Sequence, residues 1–100
     1  MATTIVRYKV KADRAEENRD FIRKVFAELD GNRPEGLRYA SFNLEDGVSF
    51  VHIAIVDTND GKNPLPETNA FKRFVADIRD RCEEPPVAMA ADMIGSYRIM

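Results

Sequence analysis

From residue 4 to 11 apolar and polar positions alternate, with Val6, Tyr8 and Val10 on one side and Ile5, Arg7 and Lys9 on the other. A period of two, rich in β-branched residues, predicts a strand. The rhythm then changes. Phe21, Ile22, Val25, Phe26 and Leu29 recur at helical spacing and predict a helix over 13–30. Asp13 stands three before Glu16, the spacing of a capping box. Gly31 is placed to end the helix as a left-handed residue.

Pro34-Glu35-Gly36 reads as a turn, and 37–44 returns to extended character. Asp46-Gly47 predicts a two-residue type I′ hairpin, since both central residues of that turn need positive φ. Such a turn sets Asn43 opposite Phe50, Ser41 opposite His52 and Tyr39 opposite Ala54 on one face. Phe42 then meets Val51, and Ala40 meets Ile53, on the other. Val48–Val56 is the third strand. Residues 57–66, DTNDGKNPLP, read as loop. Phe71, Phe74, Val75, Ile78 and Cys82 predict a second amphipathic helix, stopped by Pro85-Pro86. Val87–Met100 is expected to end the chain as a strand.

This order predicts one α+β domain over 1–100, ferredoxin-like βαββαβ, with a four-stranded antiparallel sheet and both helices on one face. The third strand is apolar on both sides: Val51, Ile53 and Ile55 on one, Phe50, Ala54 and Val56 on the other. An antiparallel strand with one wet face should alternate. A second copy packed sheet to sheet is therefore expected, giving a homodimer through the sheet face.

Composition narrows the function classes. Charged residues make up 32% of the chain with a net charge of −2 and no massed basic face, so a nucleic-acid partner is not expected. No apolar run approaches the roughly 20 residues of a membrane span, and the opening MATTIVRYKVKAD shows no secretory leader. A single cysteine, Cys82, fits a reducing cytoplasm. One His and one Cys fall short of a zinc ligand set, so no metal is expected.

His52, the one histidine, is the first candidate for chemistry, because imidazole moves protons near neutral pH. Tyr39, Ser41, Asn43 and Phe50 share its face, which is mixed, aromatic and hydrogen-bonding. The opposite face is nearly pure hydrocarbon. A mostly apolar surface with a few convergent polar groups suits a small-molecule site. The same residues equally fit a core histidine satisfied by Ser41, or the lining of a dimer interface. Asn18 stands where a hydrophobe is expected on the first helix, either turned inward or at the helix margin. Tyr8 and Tyr97 read as packing residues, and Cys82 as an inert core thiol. Arg7 and Arg38 read as solvated or ion-paired.

The opening strand into KADRAEENRDFI, the run RPEGLRYASFNLEDGVSFVHIAIVD, the helix FKRFVADIRDRC and the closing IGSYRIM span nearly the whole chain. Together they resemble the dimeric α/β-barrel superfamily and, within it, the antibiotic-biosynthesis-monooxygenase-like proteins. The resemblance implies a cofactor-independent monooxygenase acting on a small phenolic or quinone-like compound. Oxygenases of that group commonly carry a tryptophan near the end of the third strand, about where Val56 stands, and this chain has none. In this reading His52 is the catalytic base or hydrogen-bond donor. Asn18, Tyr39, Ser41 and Phe50 line or orient the small aromatic ligand. The alternatives are a non-catalytic ligand-binding or structural homodimer, and a cyclase or isomerase.

Overall fold

The computed structural model describes residues 1–99. Strand β1 (Ala2–Val10) leads through a 3-10 turn into helix α1 (Ala15–Asn32), then β2 (Leu37–Asn43) and β3 (Ser49–Val56). A loop and a second 3-10 turn (Leu65–Glu67) precede α2 (Asn69–Ala76), α3 (Ile78–Arg81) and β4 (Cys82–Ala91). All strand pairs are antiparallel, in the order β2-β3-β1-β4. This is the ferredoxin-like arrangement expected from the sequence, with the second helix in two pieces.

The β2–β3 register is the expected one, Ser41 opposite His52 and Asn43 opposite Phe50, but the turn that sets it is different. Gly47 N–H donates to Leu44 O, and Leu44 N–H donates to Ser49 O. The loop is therefore four residues, 45–48, and only Gly47 has positive φ, at 79°. Asp46 avoids the left-handed region because its carboxylate accepts from the Val48 and Ser49 N–H groups and the Ser49 hydroxyl. Two- and four-residue loops centred on the same dipeptide give one register, so the pairing survives the change.

Three helix boundaries also differ. No side chain caps the start of α1, because Glu16 is drawn to Arg19 and Arg23 instead of the helix N-terminus. Gly31 lies inside α1. The left-handed residue is Arg33, whose N–H donates to Leu29 O, and Pro34 blocks continuation. The second helix breaks at Asp77 and ends at Arg81, so Cys82 opens β4 rather than closing a helix. Pro85-Pro86 lies within β4, an edge strand, where its register against β1 shifts. The expected closing strand stops at Ala91; Ile94, Tyr97 and Ile99 are exposed beyond it, and Met100 lies outside the described residues.

The helices cover the mixed face. Tyr8, Val10 and Phe50 pack with Val25, Leu65, Ala70 and Phe74 into the core. Glu28 of α1 ties the layer together by accepting from the Asn69 and Ala70 N–H groups at the start of α2. The hydrocarbon face, with Ile5, Phe42, Val87 and Met89, is left bare, Phe42 being 50% and Met89 67% exposed. Among the described residues no helix is long and apolar enough to cross a membrane.

Candidate active site

His52 sits mid-strand in β3 with 4% of its surface exposed. Sheet register surrounds it. Ser41 of β2 is directly opposite, while Tyr39 of β2 and Tyr8 of β1 are diagonal neighbours, a spacing that aromatic side chains bridge. The rings stack across the strands: Tyr8 lies 5.3 Å from His52 at 13° and Tyr39 5.8 Å at 22°. Phe50 continues the row beyond Tyr8 and Phe26 beyond Tyr39. Phe74 of α2 tilts over His52 at 5.6 Å.

Every polar atom in this layer has a partner, and the partners fix one another's direction. Arg81 is wholly buried and can only donate. Its Nε–H donates to Asn18 Oδ1 at 3.2 Å, and its other nitrogens engage Asp77 and the Phe74 carbonyl. The Asn18 amide is thereby oriented, and its Nδ2 donates to the Tyr8 hydroxyl at 2.9 Å. Tyr8 O–H is then placed to donate onward, to His52 Nε2 at 2.7 Å. With Nε2 an acceptor, the neutral imidazole carries its proton on Nδ1, facing Ser41 Oγ at 2.6 Å and the Tyr39 hydroxyl at 2.8 Å. In this direction the donors run from the buried guanidinium to the Ser41 and Tyr39 oxygens, which compete for the one Nδ1 proton. Where Tyr39 accepts it, the Tyr39 O–H is free to donate elsewhere.

Burial keeps this chain neutral beyond Arg81. It holds His52 down to about 4 from an ordinary 6.5 and pushes Tyr39 up to about 12, against a hydrogen bond from Ser41 that favours the phenolate. Burial likewise raises Tyr8, more strongly than the Asn18 hydrogen bond lowers it. The physical cause is the loss of water around each charged form.

A cavity of about 370 Å³ opens between the sheet and α2–α3. Tyr8, Tyr39 and His52 form its polar end; Val6, Ala54, Leu65, Phe71, Phe74 and Ile78 supply apolar wall. Of the residues expected at a ligand site, His52 and Tyr39 reach this cavity. Asn18 lies behind Tyr8, fully buried. Ser41 and Phe50 line a separate hollow of about 160 Å³. Arg7 and Arg38 are exposed and line neither. Two residues carry more than the sequence suggested. Tyr8 is a hydrogen-bonding hub as well as packing, and Arg81 is a buried member of the site outside the expected set. The signal for Arg81 was present: it falls on the Phe71, Phe74, Ile78 stripe, a charge in an apolar row. Among the described residues no group of three His, Cys, Asp or Glu side chains is placed to hold a metal ion.

No protein-family model matches the sequence, and no curated protein does. Solved structures do. A provisionally assigned antibiotic biosynthesis monooxygenase from Nitrosomonas europaea superposes with a TM-score of 0.79 at 22% identity, covering 95% of this chain and 100% of that one. SnoaB, a cofactor-independent oxygenase from Streptomyces nogalater, gives 0.70 at 16% identity over 97% and 96% of the two chains. The fold is that of the antibiotic biosynthesis monooxygenase-like proteins. A protein of unknown function from Nitrosomonas europaea shares it with a TM-score of 0.74 at 12% identity, over 96% and 91%. At these identities the likeness establishes the fold, and chemistry has to be argued from the site.

Proposed function

We propose that residues 1–100 act as a single monooxygenase-like domain that binds a small phenolic or quinone-like compound and oxygenates it without a bound cofactor. The observation that carries this reading is the hydrogen-bonded series from Arg81 through Asn18, Tyr8 and His52 to the hydroxyl of Tyr39, a residue of the cavity wall. A cavity that offers a donor, and no carboxylate, favours a ligand oxygen that accepts, either a quinone carbonyl or a phenolate. Phenolate is the electron-rich form that surrenders electrons to dioxygen. The overall change is balanced when a phenol and dioxygen give a quinone and water.

In this reading Tyr39 touches the ligand oxygen, and His52 acts as the donor behind it. Tyr8 and Asn18 fix the imidazole tautomer. Ser41 shares the Nδ1 proton, and Phe50 extends the ring stack that holds Tyr8 flat. A second reading, non-catalytic binding of the same ligand class, is favoured by one observation: both ring nitrogens of His52 are already engaged.

Oxygen uptake separates the two. With a panel of phenols and quinols, the first reading expects thermal stabilisation and protein-dependent oxygen consumption. Both should be lost when Ala54→Phe fills the cavity and reduced by Tyr39→Phe. Binding without oxygen consumption would leave the second reading. Stabilisation surviving unchanged in His52→Ala would remove His52 from either.

The bare hydrocarbon face supports a homodimer formed sheet to sheet, since exposed apolar patches of this kind mark interaction surfaces. Light scattering at micromolar concentration should give twice the chain mass, and Phe42→Glu should give the single-chain mass. A wild-type monomer would refute it. The buried thiol of Cys82, the one cysteine, suits a reducing compartment, and we place the protein in the cytoplasm.

A further inference from the structure

We infer that the ligand of this cavity is an acidic aromatic, an aryl carboxylate that also carries a phenolic or quinone oxygen, and that Arg79 binds its carboxylate at the cavity mouth. This rests on the reading above that the cavity takes a small aromatic compound, and it adds the ligand's second polar end.

The cavity is graded from floor to rim. Tyr8, His52, Leu65 and Phe74 are buried, while the exposed lining residues are Asn63, Val75 and Arg79. Among the described lining residues only Arg79 bears a charge, His52 being neutral, and none is Asp or Glu. Among the described residues the Arg79 guanidinium makes no ion pair and no hydrogen bond to another side chain. Arg14, Arg19, Arg23 and Arg81, by contrast, are all engaged by carboxylates. Asn63 adds a neutral donor at the rim. Its Oδ1 accepts from the Leu65 N–H at 2.9 Å, which leaves the amide Nδ2 to point elsewhere.

A neutral quinone or phenol would use the floor and walls and leave this rim unused. A ring compound with an oxygen at one end and a carboxylate at the other uses both. A guanidinium matches carboxylate geometry through paired N–H donors. Its exposed position limits the gain to a few-fold and makes it sensitive to salt.

The test uses 6-hydroxy-2-naphthoate, with its oxygen and carboxylate at opposite ends, and its methyl ester, which removes the charge at the rim and adds one methyl group. Binding to the wild-type chain is measured by the ligand's own fluorescence at low and high ionic strength. The acid should bind on the order of fivefold tighter than the ester at low salt, with the preference shrinking at high salt. Arg79→Gln, a surface change, should weaken the acid to the level of the ester and leave the ester's affinity unchanged. Equal binding of acid and ester by the wild type, or a preference that persists in Arg79→Gln, would overturn the role of Arg79 while leaving an aromatic site in place. Failure of both compounds to bind would overturn this inference and the proposed function together.

Discussion

Acidification from pH 7 to pH 4 should destabilise the fold through His52 alone by about 3 kcal/mol. The unfolded chain takes up the imidazole proton near the ordinary 6.5, and the folded chain only near 4. Between those values unfolding draws in a proton, so stability falls as the pH falls. At about 1.4 kcal/mol per pH unit the window of roughly two and a half units amounts to between about 3 and 4 kcal/mol in full, of which about 3 is lost by pH 4, where the folded ring is half protonated. Above 6.5 the ring is neutral in both states and the penalty vanishes; below 4 it is charged in both and the loss is complete. The ring is almost entirely buried, so solvent does little to screen the effect. The geometry agrees with the sign. A proton on Nε2 would face the proton of Tyr8 O–H, and the hydroxyl, already accepting from Asn18, would lose its acceptor. Set against the 5–15 kcal/mol typical of whole domains, the loss is large. Urea unfolding at several pH values, followed by circular dichroism, measures it in wild type and in the non-titrating His52→Gln. The variant's pH slope removes the contribution of carboxylates such as Glu16, Glu17 and Asp46, which are held below their ordinary values. Because this is the one histidine, its proton NMR titration also reads the midpoint directly. A midpoint above 6, or equal slopes in the two proteins, would refute the reasoning.

Asn18→Ala should cost about 2–4 kcal/mol at pH 7, because it strands the Arg81 Nε–H and removes a donor from Tyr8. A shift of the urea midpoint at unchanged slope reports it, and a loss below about 1 kcal/mol would contradict the donor chain. Gly36→Ala should cost about 2 kcal/mol or more. Gly36 has φ of 77°, and an added Cβ would stand 2.5 Å from Asp57 O, in the residue whose N–H donates to Gly36 O at the start of the following loop. A thermal midpoint within a degree of wild type would show that this turn relaxes freely.

Period and register were legible because they depend on local alternation. The Ser41–His52 pairing needs only the parity of the hairpin loop, and it came out right although the turn type did not. The identity of the covered face was not legible. Alternation defines two faces of a strand, but which one the helices choose depends on the helices' own side chains. Here Asn18 and Arg81 bring polar groups into the helical layer, which lets the helices cover the face that carries Tyr8 and His52. The break at Asp77 was hidden for a related reason. The stripe through Phe71, Phe74 and Ile78 continues across it, and continuity of pattern does not reveal a change of backbone state. Pro85-Pro86 reads as a helix stop in sequence because an edge strand that tolerates proline has no local signature of its own.

Arg81 explains why a face so polar can be the buried one. Taken singly, a buried guanidinium, an amide, two phenols and an imidazole would each cost free energy to bury without a partner. Linked in series, each donates to the next, and the one residue with donors but no acceptor stands at the head of the chain, where no acceptor is needed. The charge stays close to Asp77 and over the rings of Phe21 and Phe74, with its carbon 4.5 Å and 5.4 Å from their centres. Everything downstream can then remain neutral. This is also why low basicity at His52 and a functional reading of it are compatible. A strongly basic imidazole at the end of such a chain would take a second proton and reverse the direction of Tyr8. One held near 4 stays neutral at physiological pH, which leaves Nε2 able to accept from Tyr8.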